Sequence, residues 1–171
     1  MGQILLIRHG QANFGGADYD KLSPTGEKQA LMLGRSLRPR LSQVDRVQTG
    51  SMKRHRQTAD GCLQGLNRSP QREENPDWNE YDHEEVIQRY KPAYRNKAVL
   101  AADMARTGNP RRAFQDMFAQ AIQRWMDGEH DSDYKESWPE FRQRGMQALH
   151  DLKNDLGRGE TGLAFTSGGV I

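Results

Sequence analysis

Apolar positions along the chain fall into a few short continuous runs, separated by segments in which they recur at helical spacing. Gln3-Ile4-Leu5-Leu6-Ile7 is the first run, and it closes in Arg8-His9-Gly10. A continuous apolar run of this length reads as a strand buried on both faces, as in the centre of a parallel sheet. Ser23-Pro24 then supplies an N-cap and a proline for the first helical position. Ala30, Leu33, Gly34 and Leu37 follow at helical intervals until Pro39. Strand followed by helix opens an α/β pattern.

The alternation weakens but persists from Val44 to Thr49, which predicts a second, shorter strand. Ser51 is placed to cap the next helix, with Met52, His55, Ala59, Cys62, Leu63 and Leu66 on its apolar face. Residues 67–76 are polar and turn-rich and read as a loop. Asp82 to Arg106 reads as helical with a break at Pro92, and Thr107-Gly108-Asn109-Pro110 stops that helix and starts another. Asn109 caps a helix whose inward face is Phe114, Met117, Phe118, Ala121, Ile122 and Trp125. An acidic loop runs from Asp127 to Glu136. Ser137-Trp138-Pro139-Glu140 is then a capping box, opening a helix with Phe141, Met146, Leu149, Leu152 and Leu156 inward.

Leu163-Ala164-Phe165-Thr166 is the last short buried strand, and Ser167-Gly168-Gly169 follows it. A Gly-rich turn after a parallel strand ordinarily opens a helix, so the chain is expected to lack its C-terminal helix. The pattern predicts a three-layer α/β/α sandwich with a mostly parallel sheet. A helical cap, residues 77–130, is inserted into this one domain of residues 1–171.

Composition narrows the function classes. The 25 Lys and Arg against 23 Asp and Glu leave a net charge of +2, which is not the basic footprint of a nucleic-acid binder. The N-terminal apolar run is too short for a signal peptide or a membrane span, so neither nucleic acid nor membrane is an expected partner. One cysteine, Cys62, excludes an internal disulfide and fits a reducing, cytoplasmic setting. On an apolar helix face it reads as core. Glu129, His130, Asp131 and Asp133 form an acidic group that reads as solvated loop and not as a metal site.

Ligands of parallel α/β sheets bind beyond the carboxyl ends of the strands, and three such ends carry anion-binding groups. The first offers Arg8, His9 and Gly10, with Asn13 beyond. The second leads through Gly50-Ser51 to Arg54, and the third offers Ser167 and the Gly168 amide. Guanidinium groups and helix-start amides converging on one crevice suit a phosphoryl dianion.

Leu6-Ile7-Arg8-His9-Gly10-Gln11, Leu22-Ser23-Pro24-Thr25-Gly26 with Gln29-Ala30, and Thr49-Gly50-Ser51 to Arg54 ending in Gln57-Thr58-Ala59 together resemble the histidine phosphatase superfamily. This is the superfamily of phosphoglycerate mutase-like enzymes. The resemblance implies that His9 is the nucleophile, forming a phosphohistidine without metal or other cofactor. Arg8 and Arg54 would clamp the phosphoryl oxygens, with Asn13 adding a further contact. Trp78-Asn79-Glu80-Tyr81 resembles the loop that carries the family's acid, which makes Glu80 the general acid, with Asp82 as its substitute.

The resemblance also implies a second histidine closing the pocket after the last central strand, and aligning on Gly168-Gly169-Val170-Ile171 puts Ser167 where that histidine belongs. A hydroxyl donates one hydrogen bond to phosphate but brings no charge, and losing a charge-assisted donor costs roughly 1.5–3 kcal/mol. The implied activity is metal-independent phosphomonoester hydrolysis on a phosphorylated small molecule or phosphoprotein. The alternatives are a catalytically weakened phosphate-binding or regulatory module, and mutase-type phosphoryl transfer. The segment after Asn13 is short and carries no specialisation for a second acceptor, which favours the phosphatase.

Overall fold

Four strands form one parallel sheet in the computed structural model, which describes residues 2–13 and 18–171. They are β1 (Gln3–Arg8), β2 (Arg46–Thr49), β3 (Arg72–Glu74) and β4 (Thr161–Thr166), in the order β1-β4-β2-β3. The helices are α1 (Pro24–Leu37), α2 (Lys53–Leu66), α3 (His83–Tyr90), α4 (Lys97–Ala105), α5 (Pro110–Met126) and α6 (Trp138–Asn154). Side chains alternate across a strand, and β4 uses both of its faces. Leu163 and Phe165 join Ile7, Val47, Ala59, Cys62, Leu63 and Leu66 on the side of α1 and α2. Ala164 joins Trp78, Ala148 and Leu152 on the side of α6. The result is the expected three-layer α/β/α arrangement.

Contacts divide the chain into two compact units, Met1–Glu80 with Arg144–Ile171, and Tyr81–Gln143. The first holds the sheet. In the second, Ile87, Tyr94 and Met117 form the core of α3, α4 and α5. The rings of Tyr81, Trp125, Trp138 and Phe141 pack there at centroid distances between 4.7 and 5.8 Å.

Local signals correspond closely to local structure. Ser23 accepts from the Gly26 amide and caps α1, Asn109 accepts from Arg112 and caps α5, and Ser137 and Glu140 exchange bonds as a capping box. The helical stretch after Asp82 breaks at Pro92, where a 3₁₀ turn, Pro92–Arg95, separates α3 from α4.

Four expectations change. Among the described residues the first apolar run is an edge strand and not a central one: β1 pairs there with β4 alone, and Ile4, Leu5 and Leu6 are half-buried. An apolar run records burial, not sheet order. The stretch read as loop contains β3, whose Arg72, Glu73 and Glu74 are exposed; backbone pairing to β2 forms it, and its charges suit a sheet edge. Met146 is 63 % exposed, since it lies about 140° around α6 from Phe141, and Ala148 takes the inward place. Phe114, expected inward, is 39 % exposed and stacks on Phe118.

Gly34 and Gly65 let α1 and α2 touch backbone to backbone. A Cβ on Gly34 would overlap the Cys62 carbonyl, and one on Gly65 the Leu31 carbonyl. Cys62 is fully buried there, and burial pushes its thiol up to about 11. Among the described residues no helix is long and apolar enough to cross a membrane.

Candidate active site

The carboxyl ends of β1, β2 and β4 meet at one edge of the sheet. Arg8 lies opposite Thr166 in the β1–β4 ladder, and the His9 amide extends that ladder to the Thr166 carbonyl at 2.9 Å. The ladder therefore delivers His9 at the point where the strands stop. Its ring is half-buried, and Nδ1 lies 2.7 Å from the Gly10 carbonyl. A carbonyl only accepts, so Nδ1 carries the proton and donates, leaving Nε2 with a lone pair. Burial, followed by the positive charges of Arg54 and Arg8, holds the imidazole below its ordinary value of 6.5. The Gly10 bond and Asp20 act in the opposite direction. His9 is a neutral imidazole at pH 7.

Gly10 is tied down from two sides. Its amide donates to Thr58 Oγ at 3.1 Å, and a Cβ at Gly10 would sit 2.5 Å from the Gly26 carbonyl. Thr58 in turn donates to the Arg54 carbonyl at 2.6 Å, so one hydroxyl links α2 to the His9 turn.

Ser51 does not cap α2 as its position suggests. Met52 is the N-cap residue and makes no side-chain bond, while Ser51 accepts from Asn79 Nδ2 at 2.7 Å. The carboxylate of Asp20 substitutes from a distant loop, accepting the Lys53 amide at 2.9 Å and Arg54 Nη1 at 2.8 Å. A carboxylate at a helix N-terminus is favourable for the helix dipole, and here it also aims Arg54. That side chain is 9 % exposed, and its guanidinium carbon lies 5.8 Å from the Tyr19 ring centroid. Lys53 and Arg56 are surface charges paired with Asp18 and Glu74.

Arg8 is exposed, and its guanidinium runs along Gly168: a Cβ there would lie 3.3 Å from Arg8 Nε. Glu80 approaches from the loop after a 3₁₀ turn, Pro76–Trp78, and its Oε2 accepts the Gly169 amide at 3.2 Å. The other oxygen is buried with no partner among the described residues. Trp78 anchors this loop, donating to Gln48 at 2.8 Å and accepting from Thr166 at 2.5 Å. Asp82, the alternative acid, is committed elsewhere as the N-cap of α3, where it accepts the Glu85 amide.

Arg8, His9, Arg54, Glu80 and Gly168 therefore lie at the same sheet edge. Asn13 and Ser167, the two other expected phosphate contacts, have these surroundings. Asn13 donates its amide to the Lys21 carbonyl at 2.8 Å, and its side chain makes no hydrogen bond among the described residues. The segment beyond it, read as too plain for a mutase, falls at residues 14–17 and lies outside the described residues. Ser167 is fully buried, so its hydroxyl is not on the open wall of a pocket. It lies 2.7 Å from Nε2 of His55.

His55 was legible only as part of an apolar helix face. It is fully buried, and burial, with Arg54, His9 and Arg56, pushes its imidazole down to about 3. The bonds of Asp20 to Arg54, of Thr58 to Gly10 and of Asn79 to Ser51 join residues far apart in sequence, and spacing along the chain gives no sign of them. In the second unit, ligand atoms of Asp127, Glu129 and His130 lie within 4.8 Å of one another on an exposed surface.

Residues 4–171 match the family model of the histidine phosphatase superfamily, branch 1. The chain belongs to the histidine phosphatase superfamily. A search of curated proteins finds no match. Among solved structures of this fold, the phosphoglycerate mutase of Bacillus anthracis superposes with a TM-score of 0.63 at 16% identity, over 98% of this chain and 75% of that one. Bacillus stearothermophilus YhfR gives 0.60 at 18% identity, over 99% and 76%. A mycobacterial glucosyl-3-phosphoglycerate phosphatase gives 0.57 at 16% identity, over 96% and 73%. At these identities the likeness is one of fold.

Proposed function

We propose that this member of the superfamily is a phosphomonoester hydrolase that works through a phosphohistidine at His9. The observation that carries the reading is the 2.7 Å bond from Nδ1 of His9 to the Gly10 carbonyl. It presents a neutral ring with Nε2 unprotonated, which a nitrogen nucleophile needs. In the first step Nε2 attacks phosphorus, the ester P–O bond breaks, and Glu80 protonates the departing oxygen. In the second, water attacks the phosphorus, Glu80 takes the water's proton, and the P–N bond breaks to release phosphate and neutral His9. Arg8, Arg54 and the Gly168 amide stabilise the charge on the equatorial oxygens. The arginines supply the positive charge this chemistry requires, so neither step calls for a metal. The substrate is a phosphorylated small molecule or a phosphoprotein.

The test is release of p-nitrophenol from p-nitrophenyl phosphate with chelator present, in the wild type and in His9→Ala. Acid-labile phosphate on the protein is trapped in parallel. Release and trapped phosphate that both vanish in His9→Ala are expected. Absence of His9-dependent release anywhere between about pH 5 and 8 would overturn the reading, and retained binding of phosphate would then favour a binding module.

A further inference from the structure

We propose that His55 is a positioning residue for His9, holding its ring at the point where three strand ends meet. The inference rests on the reading of His9 as the nucleophile.

One imidazole touches all three strand ends. Toward β4, Nε2 of His55 lies 2.7 Å from Ser167 Oγ across 112 residues of sequence. Toward β2, the ring fills the place where a Gly50 side chain would be, since a Cβ there would overlap Nδ1 of His55. Toward β1, its centroid lies 5.8 Å from that of His9, with the rings inclined at 36°. His55 and Ser167 are both fully buried, so the pair forms a dry wall behind the His9 ring and not a surface that meets substrate.

The protonation pattern follows from the bonds. Nδ1 of His55 is buried with no partner among the described residues. A proton there would be an orphaned buried donor, which is rare and costly. The neutral ring therefore carries its proton on Nε2 and donates it to Ser167, and that bond fixes the ring plane. So fixed, the ring excludes water from one side of His9 and leaves it one orientation, with Nδ1 on Gly10 and Nε2 outward. The charged groups acting on the pair are Arg54, Arg8 and Asp20 on His9, and Arg54 and Arg56 on His55.

The experiment uses the full chain with His55→Ala and Ser167→Ala. The His9 ring is titrated by NMR, and single-turnover phosphoenzyme formation is measured per folded molecule. In His55→Ala, water reaches His9, so its titration midpoint rises toward the ordinary histidine value. Phosphoenzyme formation falls about tenfold or more, while vanadate affinity stays within about threefold. Ser167→Ala moves both readouts in the same direction by less, and it decides the matter if His55→Ala does not fold. A lower melting temperature with an unmoved His9 midpoint and unchanged transfer rate would overturn the proposal. If the wild type forms no phosphoenzyme, the nucleophile reading fails, and the His9 midpoint alone decides the positioning role.

Discussion

Arg144 donates from Nη1 to the carbonyl of Asn79 at 2.7 Å and, from the same nitrogen, to that of Asp77 at 2.8 Å. A guanidinium of α6 thus holds the loop that ends in Glu80. Arg144→Ala removes the donor these two carbonyls share, a loss of about 1–3 kcal/mol in stability. It also loosens Glu80, the acid of the proposed mechanism, so turnover falls about tenfold or more, with vanadate affinity little changed. Chemical denaturation and steady-state kinetics with vanadate inhibition check both parts; equal losses in turnover and vanadate affinity would contradict them.

Arg54 and Asp20 act on His9 in opposite directions, and Arg54 is the stronger. Arg54→Gln removes a positive charge that lowers the His9 pKa and leaves Asp20, which raises it. The midpoint therefore moves up, and the acid limb of kcat/KM moves to higher pH. Because the wild-type ring titrates below 6.5, activity persists into mildly acidic solution, and the variant loses that range first. NMR titration of the His9 ring and a pH–rate profile measure the two effects.

His55 makes stability depend on pH. In the unfolded chain it titrates near the ordinary 6.5, while in the fold it is held down to about 3. Between those values the unfolded chain binds the extra proton, so stability is full above about pH 6.5 and is lost as pH falls toward 3. At pH 5 the loss from this ring amounts to about 2 kcal/mol. Urea denaturation at pH 7 and pH 5 should show a smaller difference in His55→Leu than in the wild type; an identical difference would refute the linkage.

Gly34 sits where α1 meets the Cys62 carbonyl of α2, and neither backbone can move aside easily. Gly34→Ala costs about 1–3 kcal/mol through overpacking. It leaves turnover per folded molecule unchanged, since the crossing lies away from His9. A thermal melt and an active-site titration separate the two.

Much of the fold was legible along the chain, as was the meeting of several candidate site residues at one sheet edge. Caps and capping boxes join atoms three or four residues apart, so spacing alone shows them, as at Ser23, Asn109 and Ser137. That Arg8, His9 and Arg54 share one sheet edge could be anticipated, because residues next to a strand end or a helix start are delivered wherever that element points. Ser51 misled for the opposite reason: its hydroxyl and the start of α2 both found partners from other loops, Asn79 and Asp20. Such pairings have no period to betray them.

Most of the strands and helices, and the parallel α/β class, were readable from the chain, because caps, apolar runs and helical spacing depend on neighbours in sequence; the role of His9 came from a motif resemblance and not from such spacing. The folded chain alone reveals that β1 lies at the edge of the sheet among the described residues, that Asp20 bonds the start of α2 and Arg54, and that His55 lies beside His9 against Ser167. The strand order β1-β4-β2-β3 accounts for the last of these. It sets the last strand between the first two and so brings residues 9, 55 and 167 to one point that no spacing along the chain specifies.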